Sequence, residues 1–264
     1  MGTLALFNQT ITNERTQRYL AEVLRGKKDA FVNNLTALVA NNEMLQECEP
    51  LTLMYAGIKA TALNVPLDNN LGYAYVLPYR DNKKGKTVAQ LQFGYKLFNQ
   101  LAVRSGQYKR INVTDVRKGE LKGRDRRTGE IKFEWIEDDK LREQTEVIGY
   151  FAYFQLHNGY EKEVYLSVAE IDAHGKRYSQ TYRKGFGVWK DNFDAMAKKT
   201  MYKKLFSGGD APLSIEMQQA VKYDQSVIID EQGTAEYADN EPMTAEETSA
   251  EEVSAEANQE EVLF

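Results

Sequence analysis

The sequence predicts an α+β fold in which a mainly antiparallel sheet is flanked by helices. Apolar residues recur at helical spacing near both ends of the chain and indicate amphipathic helices. Between these segments, apolar and polar residues alternate with a period of two, as they do in strands with one buried face. The pair Asn158-Gly159 is typical of the tight turn of an antiparallel hairpin, so neighbouring strands are expected to pair directly.

Three helices are predicted in the first part of the chain. A weak one covers residues 14–24. Asp29 is placed to cap a second helix, whose apolar residues recur from Phe31 to Val39 at helical spacing. Pro50 suits the first turn of a third helix, whose apolar stripe runs from Leu51 to Ile58.

A hairpin and a short helix are predicted next. Alternation over residues 71–79 and 89–93 indicates two paired strands, which a polar and basic turn connects. On the second strand, Gln90 and Gln92 point away from the side that carries the apolar residues. The short helix covers residues 95–104, and a Ser-Gly pair ends it.

The middle of the chain is predicted to be strands. Residues 108–117 and 131–136 flank a basic hairpin, in which Thr128-Gly129 marks the turn. Residues 146–156 are apolar on both faces, which indicates a strand in the centre of its sheet. The tight turn after this strand leads into another strand over 160–166.

Helices return after these strands. Ser167 and Glu170 form a capping box for a short helix that Gly175 closes. A long helix is predicted over 188–206 and a final helix over 213–223.

Charge divides the chain into two parts. Of the 264 residues, 34 are Lys or Arg and 39 are Asp or Glu, a net charge of −5. Thirteen of the acidic residues and none of the basic ones lie in 223–264, which leaves 34 basic against 26 acidic residues, a net charge of +8, for 1–222. The acidic part has few large apolar side chains to offset the entropy of ordering. We therefore expect a folded domain over 1–225 and a disordered acidic tail over 226–264.

Composition argues against a membrane protein, a secreted protein and a zinc protein. No run approaches the roughly 18 apolar residues of a membrane span, and the first residues lack the pattern of a secretion signal, so a cytoplasmic protein is expected. Cys48, His157 and His174 are the only cysteine and histidine residues, and they offer almost no ligands for zinc. We expect no metal and no other cofactor.

Two catalytic signals have competing structural explanations. Gly85-Lys86-Thr87 resembles the end of a phosphate-binding loop, but it joins two predicted strands where such a loop requires a helix N-terminus. Asp115, Glu130 and Lys132 have the spacing with which some nucleases hold a divalent metal and polarise a water. An exposed amphipathic hairpin shows the same Glu-x-Lys pattern. The sequence therefore predicts no enzyme, with a metal-dependent nuclease as an alternative.

Two segments combine many basic residues with aromatic ones. Residues 80–132 hold fifteen basic against five acidic residues, and residues 176–204 hold nine against two. Basic side chains neutralise phosphates and aromatic rings stack on unpaired bases, so this pattern predicts sequence-tolerant binding of single-stranded nucleic acid. Trp189, Phe193 and Met196 recur at helical spacing and are more typical of a core than of base stacking.

Four segments, in order along the chain, resemble the RecT family of phage single-strand DNA annealing proteins. They are the runs at 71–79 (LGYAYVLPY), 89–96 (AQLQFGYK) and 101–106 (LAVRSG), and Trp189-Lys190 together with 196–200 (MAKKT). The resemblance covers about residues 25–222 and leaves out the acidic tail.

The resemblance implies a function and partners. Members of this family coat single-stranded DNA as rings or helical filaments and pair complementary strands without ATP in phage homologous recombination. They work beside a phage exonuclease and the host single-strand-binding protein, in the cytoplasm of a bacterial host cell. Residues 1–225 would then be the DNA-binding, oligomerising annealing domain. The tail 226–264 lies outside the resemblance, and its acidity beside a basic domain predicts a partner-binding or autoinhibitory segment, with a solubilising tail as the alternative.

An annealing protein must hold phosphates and leave base edges free, which selects polar and basic residues as DNA contacts. The candidate residues are Lys86, Gln90, Gln92, Lys96, Lys109, Arg110, Arg124, Arg126, Arg127, Lys132, Lys190, Lys198, Lys199 and Lys203. A second alternative, besides the nuclease, is a single-strand nucleic-acid coat protein that does not anneal.

Overall fold

The computed structural model describes residues 3–68, 70–81 and 84–236. Its fold is α+β, with antiparallel sheets flanked by helices as the sequence predicts. The helices of these ranges are α1 (Thr3–Thr12), α2 (Glu14–Leu24), α3 (Lys28–Ala40), α4 (Glu43–Gln46), α5 (Pro50–Ala62), α6 (Tyr95–Arg104), α7 (Asp139–Gln144), α8 (Val168–Tyr178), α9 (Gln180–Arg183), α10 (Val188–Asp191), α11 (Phe193–Ser207) and α12 (Ile215–Tyr223). The strands are β1 (Ala74–Asp81), β2 (Lys86–Phe93), β3 (Tyr108–Arg117), β4 (Leu121–Arg124), β5 (Ile131–Phe133), β6 (Val147–Leu156), β7 (Glu161–Ser167), β8 (Ser226–Ile228) and β9 (Ala235–Glu236).

The strands of the described ranges form three antiparallel sheets. The first has the order β1-β2-β8-β9, the second has the order β3-β6-β7, and the third is the β4-β5 hairpin. β6 is the central strand of the second sheet, which confirms the prediction from its two apolar faces. None of the helices in the described ranges is long and apolar enough to cross a bilayer.

One continuous apolar core joins the helices to the first two sheets. α5 is buried on almost every side, because it packs on β2, on α1 and on α3. α11 packs on α6 and also on the strands of the second sheet. It therefore connects the two sheets, and its position relative to β2 determines the shape of the surface between them.

Several predicted elements are confirmed in detail. The weak helix predicted over 14–24 is α2, and the side chain of Asn13 caps it. Pro50 lies in the first turn of α5. Ser167 and Glu170 make both hydrogen bonds of the capping box at the start of α8.

Three helix predictions are wrong. Asp29 lies inside the first turn of α3 and does not cap it, because a 3₁₀ turn over Arg25–Lys27 leads directly into the helix. Gly175 does not close α8 but is buried within it, where a Cβ would lie 2.9 Å from the ring of Trp189. The long helix predicted over 188–206 is interrupted at Asn192, which separates α10 from α11.

The pairing of the basic strands also differs from the prediction. β3 pairs with β6, whereas the short strands β4 and β5 pair with each other around the Thr128-Gly129 turn. α1 has no counterpart among the predicted helices, since Phe7 and Ile11 are its buried residues and make only a short stripe.

The fold extends beyond the predicted start of the tail. Residues 226–228 form β8, and all three of these residues are buried. The chain then returns as β9, which ends at Glu236. The prediction of disorder from residue 226 is therefore wrong up to residue 236, because Val227 and Ile228 are buried once β8 pairs with β2. The remainder of the predicted tail, 237–264, lies outside the described residues.

Candidate nucleic-acid interface

The first sheet has one face toward the core and a second face that we name the outer face. Directly opposed residues of an antiparallel pair lie on the same face of the sheet. The register opposes Tyr75 to Gln92 and Leu77 to Gln90, and Gln90 in turn opposes Val227. Alternate residues of the same strands point into the core. The outer face therefore consists of Tyr75, Leu77, Tyr79, Val88, Gln90, Gln92 and Val227.

A buried amide lies in the middle of the outer face. Gln90 is 2% exposed, and its Oε1 accepts a hydrogen bond of 2.8 Å from Nε2 of Gln92. Nε2 of Gln90 finds no hydrogen-bond partner within the described residues. A buried amide group without a partner costs about 1–3 kcal/mol. The outer face thus holds a hydrogen-bond donor for which the described part of the chain supplies no acceptor.

A cleft of about 420 Å³ lies between the outer face and the start of α11. The sheet contributes Tyr75 and Gln92, α6 contributes Lys96, and α11 contributes Met196 and Lys199 to its lining. The lining combines an aromatic ring, an amide and cationic groups. These are the groups that hold the phosphates and unpaired bases of single strands.

Two glycines allow the segment before β1 to approach the turn from β2 into α6 at the rim of this cleft. Gly72 has a φ of +73°, in the left-handed region that favours glycine. A Cβ on Gly94 would lie 2.1 Å from the carbonyl oxygen of Gly72, so only glycine fits at residue 94. A Cβ on Gly72 would in turn lie 3.4 Å from Cδ of Lys96. The close approach of these two backbone segments thus holds the exposed Lys96 beside the outer face.

Three charged side chains form an ion cluster next to the cleft, and one of them, Lys199, lines it. Nζ of Lys199 lies 2.7 Å from Oδ1 of Asp224, and Nζ of Lys203 lies 3.1 Å from Oδ2. The Phe93 amide donates to Oδ1 at 2.9 Å. Burial by itself would raise the pKa of Asp224, but the two ammonium groups and the amide hold that pKa below its ordinary value. Burial lowers the pKa of Lys199, and Asp224 partly offsets this effect.

The ion cluster provides two candidate DNA contacts with a partner inside the chain. Lys199 is 3% exposed and Lys203 is half-buried, and both ammonium groups pair with Asp224. Their visible role is to attach α11 to the end of β2. Asp224 is absent from the residues that the sequence singles out, because an acidic residue at the end of a helix is typical of an ordinary surface loop.

Two further candidates lie close to the cleft. Nζ of Lys198 lies 2.8 Å from Oδ2 of Asp194 and 5.8 Å from the centroid of the Tyr95 ring. Lys190 is exposed on α10, two residues after Val188, which lines the cleft. The structure therefore brings Gln90, Gln92, Lys96, Lys190, Lys198 and Lys199 to one region of the molecule.

The aromatic residues of the 176–204 segment are divided between core and surface. Trp189 is buried and stacks on Tyr182 with 5.5 Å between ring centroids, which confirms that it belongs to the core. The hydroxyl of Tyr182 donates to Asp172 at 2.5 Å. Phe186, by contrast, is 54% exposed.

The other basic candidates are exposed but do not line the cleft. Lys86 lies at the opposite end of β2 from Lys96, with Nζ 3.4 Å from Oε1 of Glu49. The rest are on β3 and on the β4-β5 hairpin. They are Lys109, Arg110, Arg124, Arg126, Arg127 and Lys132.

Asp115, the carboxylate of the nuclease alternative, takes part in an ion cluster that supports the β3-β4 turn. Its Oδ2 lies 2.5 Å from Nε of Arg117 and 3.5 Å from Nη1 of Arg142. Burial would raise the pKa of Asp115, but the two guanidinium groups hold it below its ordinary value. Arg142 also binds the fully buried Glu120, with 2.8 Å between Nε and Oε1. In the part of the chain that the structure describes, no three His, Cys, Asp or Glu residues are grouped as a metal site requires.

Comparison with known proteins gives consistent matches over most of the chain. A model of the RecT family matches residues 29–253. "Uncharacterized protein YqaK" of Bacillus subtilis (strain 168) is 39% identical over 232 residues, which are 86% of this chain and 76% of that protein. "Protein RecT" of Escherichia coli (strain K12) is 30% identical over 251 residues, which are 92% of this chain and 86% of that protein. The region matched by the family model contains the outer face, the cleft and the ion cluster.

Proposed function

Because this chain belongs to the RecT family of recombination and annealing proteins, we propose that it binds single-stranded DNA and anneals complementary strands. The reaction takes place without ATP during phage homologous recombination, and the protein acts as an oligomeric ring or filament. The observation that carries this proposal is the cleft beside the outer face, in which the Gln92 amide, the Tyr75 ring and Lys96 lie together.

The groups that line the cleft suit the binding of a single strand without recognition of its base sequence. A lysine at the rim neutralises a phosphate whatever the base, and an aromatic ring stacks on any base. Gln90 does not line the cleft, but its Oε1 accepts the hydrogen bond that orients the Gln92 amide there. Base edges that face solvent remain free to pair with a second strand, which is what annealing requires.

Nucleotide hydrolysis is unnecessary for such a reaction. Stacking of a base-pair step in the duplex releases about 1.4 kcal/mol, so pairing of two held strands is downhill. Gly85-Lys86-Thr87 also lies at a hairpin turn and the start of β2, and not before a helix as a phosphate-binding loop would. These observations support an ATP-independent protein.

The candidate residues take two different roles in this proposal. Lys86, Gln92, Lys96, Lys109, Arg110, Arg124, Arg126, Arg127, Lys132, Lys190 and Lys198 contact DNA, or neutralise its phosphates at short range. Gln90, which is buried, positions Gln92 through the hydrogen bond between their amides. Lys199 and Lys203 position α11 through Asp224 and act on DNA only through the shape of the cleft. The partners are a phage exonuclease that produces single strands and the host single-strand-binding protein that covers them, in the cytoplasm of a bacterial host cell.

An annealing assay tests the proposal directly. Two complementary oligonucleotides that carry a fluorophore and a quencher are mixed with the full chain, with and without ATP. We expect annealing to be faster than the spontaneous reaction and independent of ATP, and Lys96→Ala to slow it more than Lys140→Ala, a change at an exposed lysine on α7. Single-strand binding without faster annealing would instead support a coat protein. Mg²⁺-dependent shortening of labelled DNA, lost in Asp115→Asn, would support the nuclease.

A further inference from the structure

The described chain ends at the outer face, next to the proposed DNA site. Glu236 opposes Val227, and Val227 opposes Gln90, so the Glu236 side chain shares the outer face with Gln90. The carboxylate of Glu236 forms an ion pair with Lys84, in the turn between β1 and β2. An acidic side chain at the start of the C-terminal segment therefore already holds a lysine of the hairpin that carries the candidate DNA contacts.

The direction of β9 sends the chain toward the cleft. β9 is antiparallel to β8, and β8 is antiparallel to β2, so β9 runs in the same direction as β2. β2 leads into Gly94 and then into α6, where Lys96 lies at the rim of the cleft. Gly94 is four residues beyond Gln90, which is about 13 Å along a strand. A chain that continues from Glu236 is thus directed to this end of the sheet.

The acidic composition of segment 237–264 is complementary in charge to Lys96 at this end of the sheet. Residues 237–264 contain nine Asp or Glu and no Lys or Arg. Asp239 and Glu241 follow Glu236 by three and five residues, so an extended chain brings them up to about 10 and 17 Å from it. Because β9 lies two strands from β2, about 10 Å across the sheet, Gly94 is about 16 Å from Glu236. Glu241 reaches that distance, and the long side chain of Lys96 shortens the gap to Asp239. The full 28 residues reach up to about 90 Å when extended, so reach does not limit the contact.

We propose that the acidic segment 237–264 binds the outer face and the cleft of its own chain and competes there with the phosphates of single-stranded DNA. This inference rests on the proposed function, because it concerns the same site. A tethered segment is present at an effective concentration of about millimolar, so individually weak carboxylate–lysine contacts compete with DNA at low concentration. A long strand offers many phosphates at once and displaces the segment, whereas a short fragment does not.

The first test compares three altered tails in the full protein with the unaltered chain. One variant ends at Glu236, which keeps β8 and β9; the second replaces the nine Asp and Glu of 237–264 by Asn and Gln; the third shuffles the segment with its charge unchanged and is the matched control. Affinity for a short single-stranded oligonucleotide is measured by fluorescence anisotropy over a salt series. We expect the first two variants to bind about tenfold more tightly at low salt, with the difference lost at high salt, and the shuffled variant to behave as the unaltered chain.

Two other outcomes of this test overturn the inference, and a third overturns the proposed function on which it rests. Equal affinities across the salt series mean that the segment does not compete with DNA. A gain in the truncated variant alone means that the segment blocks DNA by its bulk and not by its charge. If none of the four proteins binds single-stranded DNA, the proposed function itself fails, and the cross-linking test below still decides whether the segment contacts the cleft.

The second test locates the segment without DNA. A carbodiimide joins carboxylates to lysines that touch them, and the Lys84–Glu236 pair serves as the internal reference. We expect links from Asp239 or Glu241 to Lys96, which a long oligonucleotide removes. A mixture of isotope-labelled and unlabelled chains distinguishes links within one chain from links between two. Absence of links to Lys96, or links found only between chains, would overturn the inference.

Discussion

Gln90 is an amide at a buried position of the outer face, where an apolar side chain would stabilise the fold more. Val88 and Val227, its neighbours on the outer face, are buried and apolar. Gln90 is buried among them with an Nε2 that lacks a partner within the described residues. Buried polar groups are almost always hydrogen-bonded, so stability alone does not explain this exception. Gln90 does accept a hydrogen bond from Gln92, which lines the cleft.

Replacement of Gln90 should therefore separate stability from binding. We expect Gln90→Met to raise the free energy of unfolding by about 1 kcal/mol, because it removes the unpaired buried donor and Gln92, which is half-buried, can turn to water. The same variant should bind single-stranded DNA more weakly. Denaturant unfolding and anisotropy measure the two effects, and a variant that is less stable but binds DNA normally would contradict the prediction.

Asp224 differs from Gln90, because it is a buried charged residue and both of its carboxylate oxygens have partners. It accepts from Lys199, Lys203 and the Phe93 amide, so its removal leaves the ammonium of Lys199 buried without a partner. Loss of one partner of a buried ion pair costs about 3–5 kcal/mol.

We expect Asp224→Asn to lower the free energy of unfolding by about that amount at neutral pH, and Lys203→Met, which removes the more exposed partner, to cost less. The pKa of Asp224 is held below its ordinary 3.8 in the fold, so its contribution is complete above that value and is lost as the pH falls through the lower, folded-state pKa. Denaturant unfolding at pH 7 and near pH 3 measures this effect. We expect the difference in free energy of unfolding between the unaltered chain and Asp224→Asn to be smaller in acid. A difference independent of pH would contradict this.

At the scale of elements, the β4-β5 hairpin presents basic side chains on a rigid turn. Oδ1 of Asp125 accepts hydrogen bonds from the amides of Arg127 and Thr128, at 2.8 and 3.3 Å. Gly129 has a φ of +84°, which completes the turn. Because these contacts already order the turn, holding Arg126 and Arg127 exposed to solvent costs little additional backbone entropy.

We expect Arg124→Ala, Arg126→Ala and Arg127→Ala together to weaken binding of every single-stranded sequence. Each phosphate contact on a single strand contributes about 0.7 to the log–log dependence on salt, so the slope should fall by about 2. Lys118→Ala with Lys122→Ala is the matched control, since these lysines pair with Glu146 and Glu134. A salt slope that is unchanged, or a loss limited to one base composition, would show that the hairpin does not contact phosphates.

At the scale of the whole molecule, charge opposes assembly in the absence of DNA. Residues 1–222 carry a net charge of +8, so we expect the basic surfaces of two chains to repel each other until phosphates neutralise them. The acidic segment 237–264 lies on the same chain, and it reduces this repulsion only where it contacts the basic surface.

We therefore expect oligomers to form on single-stranded DNA and to dissociate when it is removed, with neither ATP nor a metal ion added. Light scattering measures the mass, and electron microscopy distinguishes closed rings from open filaments. Monomers alone at saturating oligonucleotide would contradict the prediction.

Local signals let the sequence determine much of the fold and the surface character of this protein. The capping box at Ser167 and the apolar faces of residues 146–156 predict α8 and the central strand β6, because a cap and a buried strand are encoded by neighbouring residues. The spacing of Trp189 likewise identified a core residue. Family membership followed from short runs around the β1-β2 hairpin, which contain the glycines that bring Lys96 to the cleft.

Only the tertiary structure decided which polar residues are buried and what they meet. Lys198 and Lys199 are adjacent in sequence and are the same type of residue, yet Lys199 is buried against Asp224 while Lys198 lies over the Tyr95 ring. The sequence predicts that Val227 and Ile228 belong to a disordered tail, but in the structure they are part of β8, which pairs with the edge of β2. The physical reason is the same in each case: desolvation and its compensation depend on a partner from a distant element, and no local pattern of residues encodes that partner.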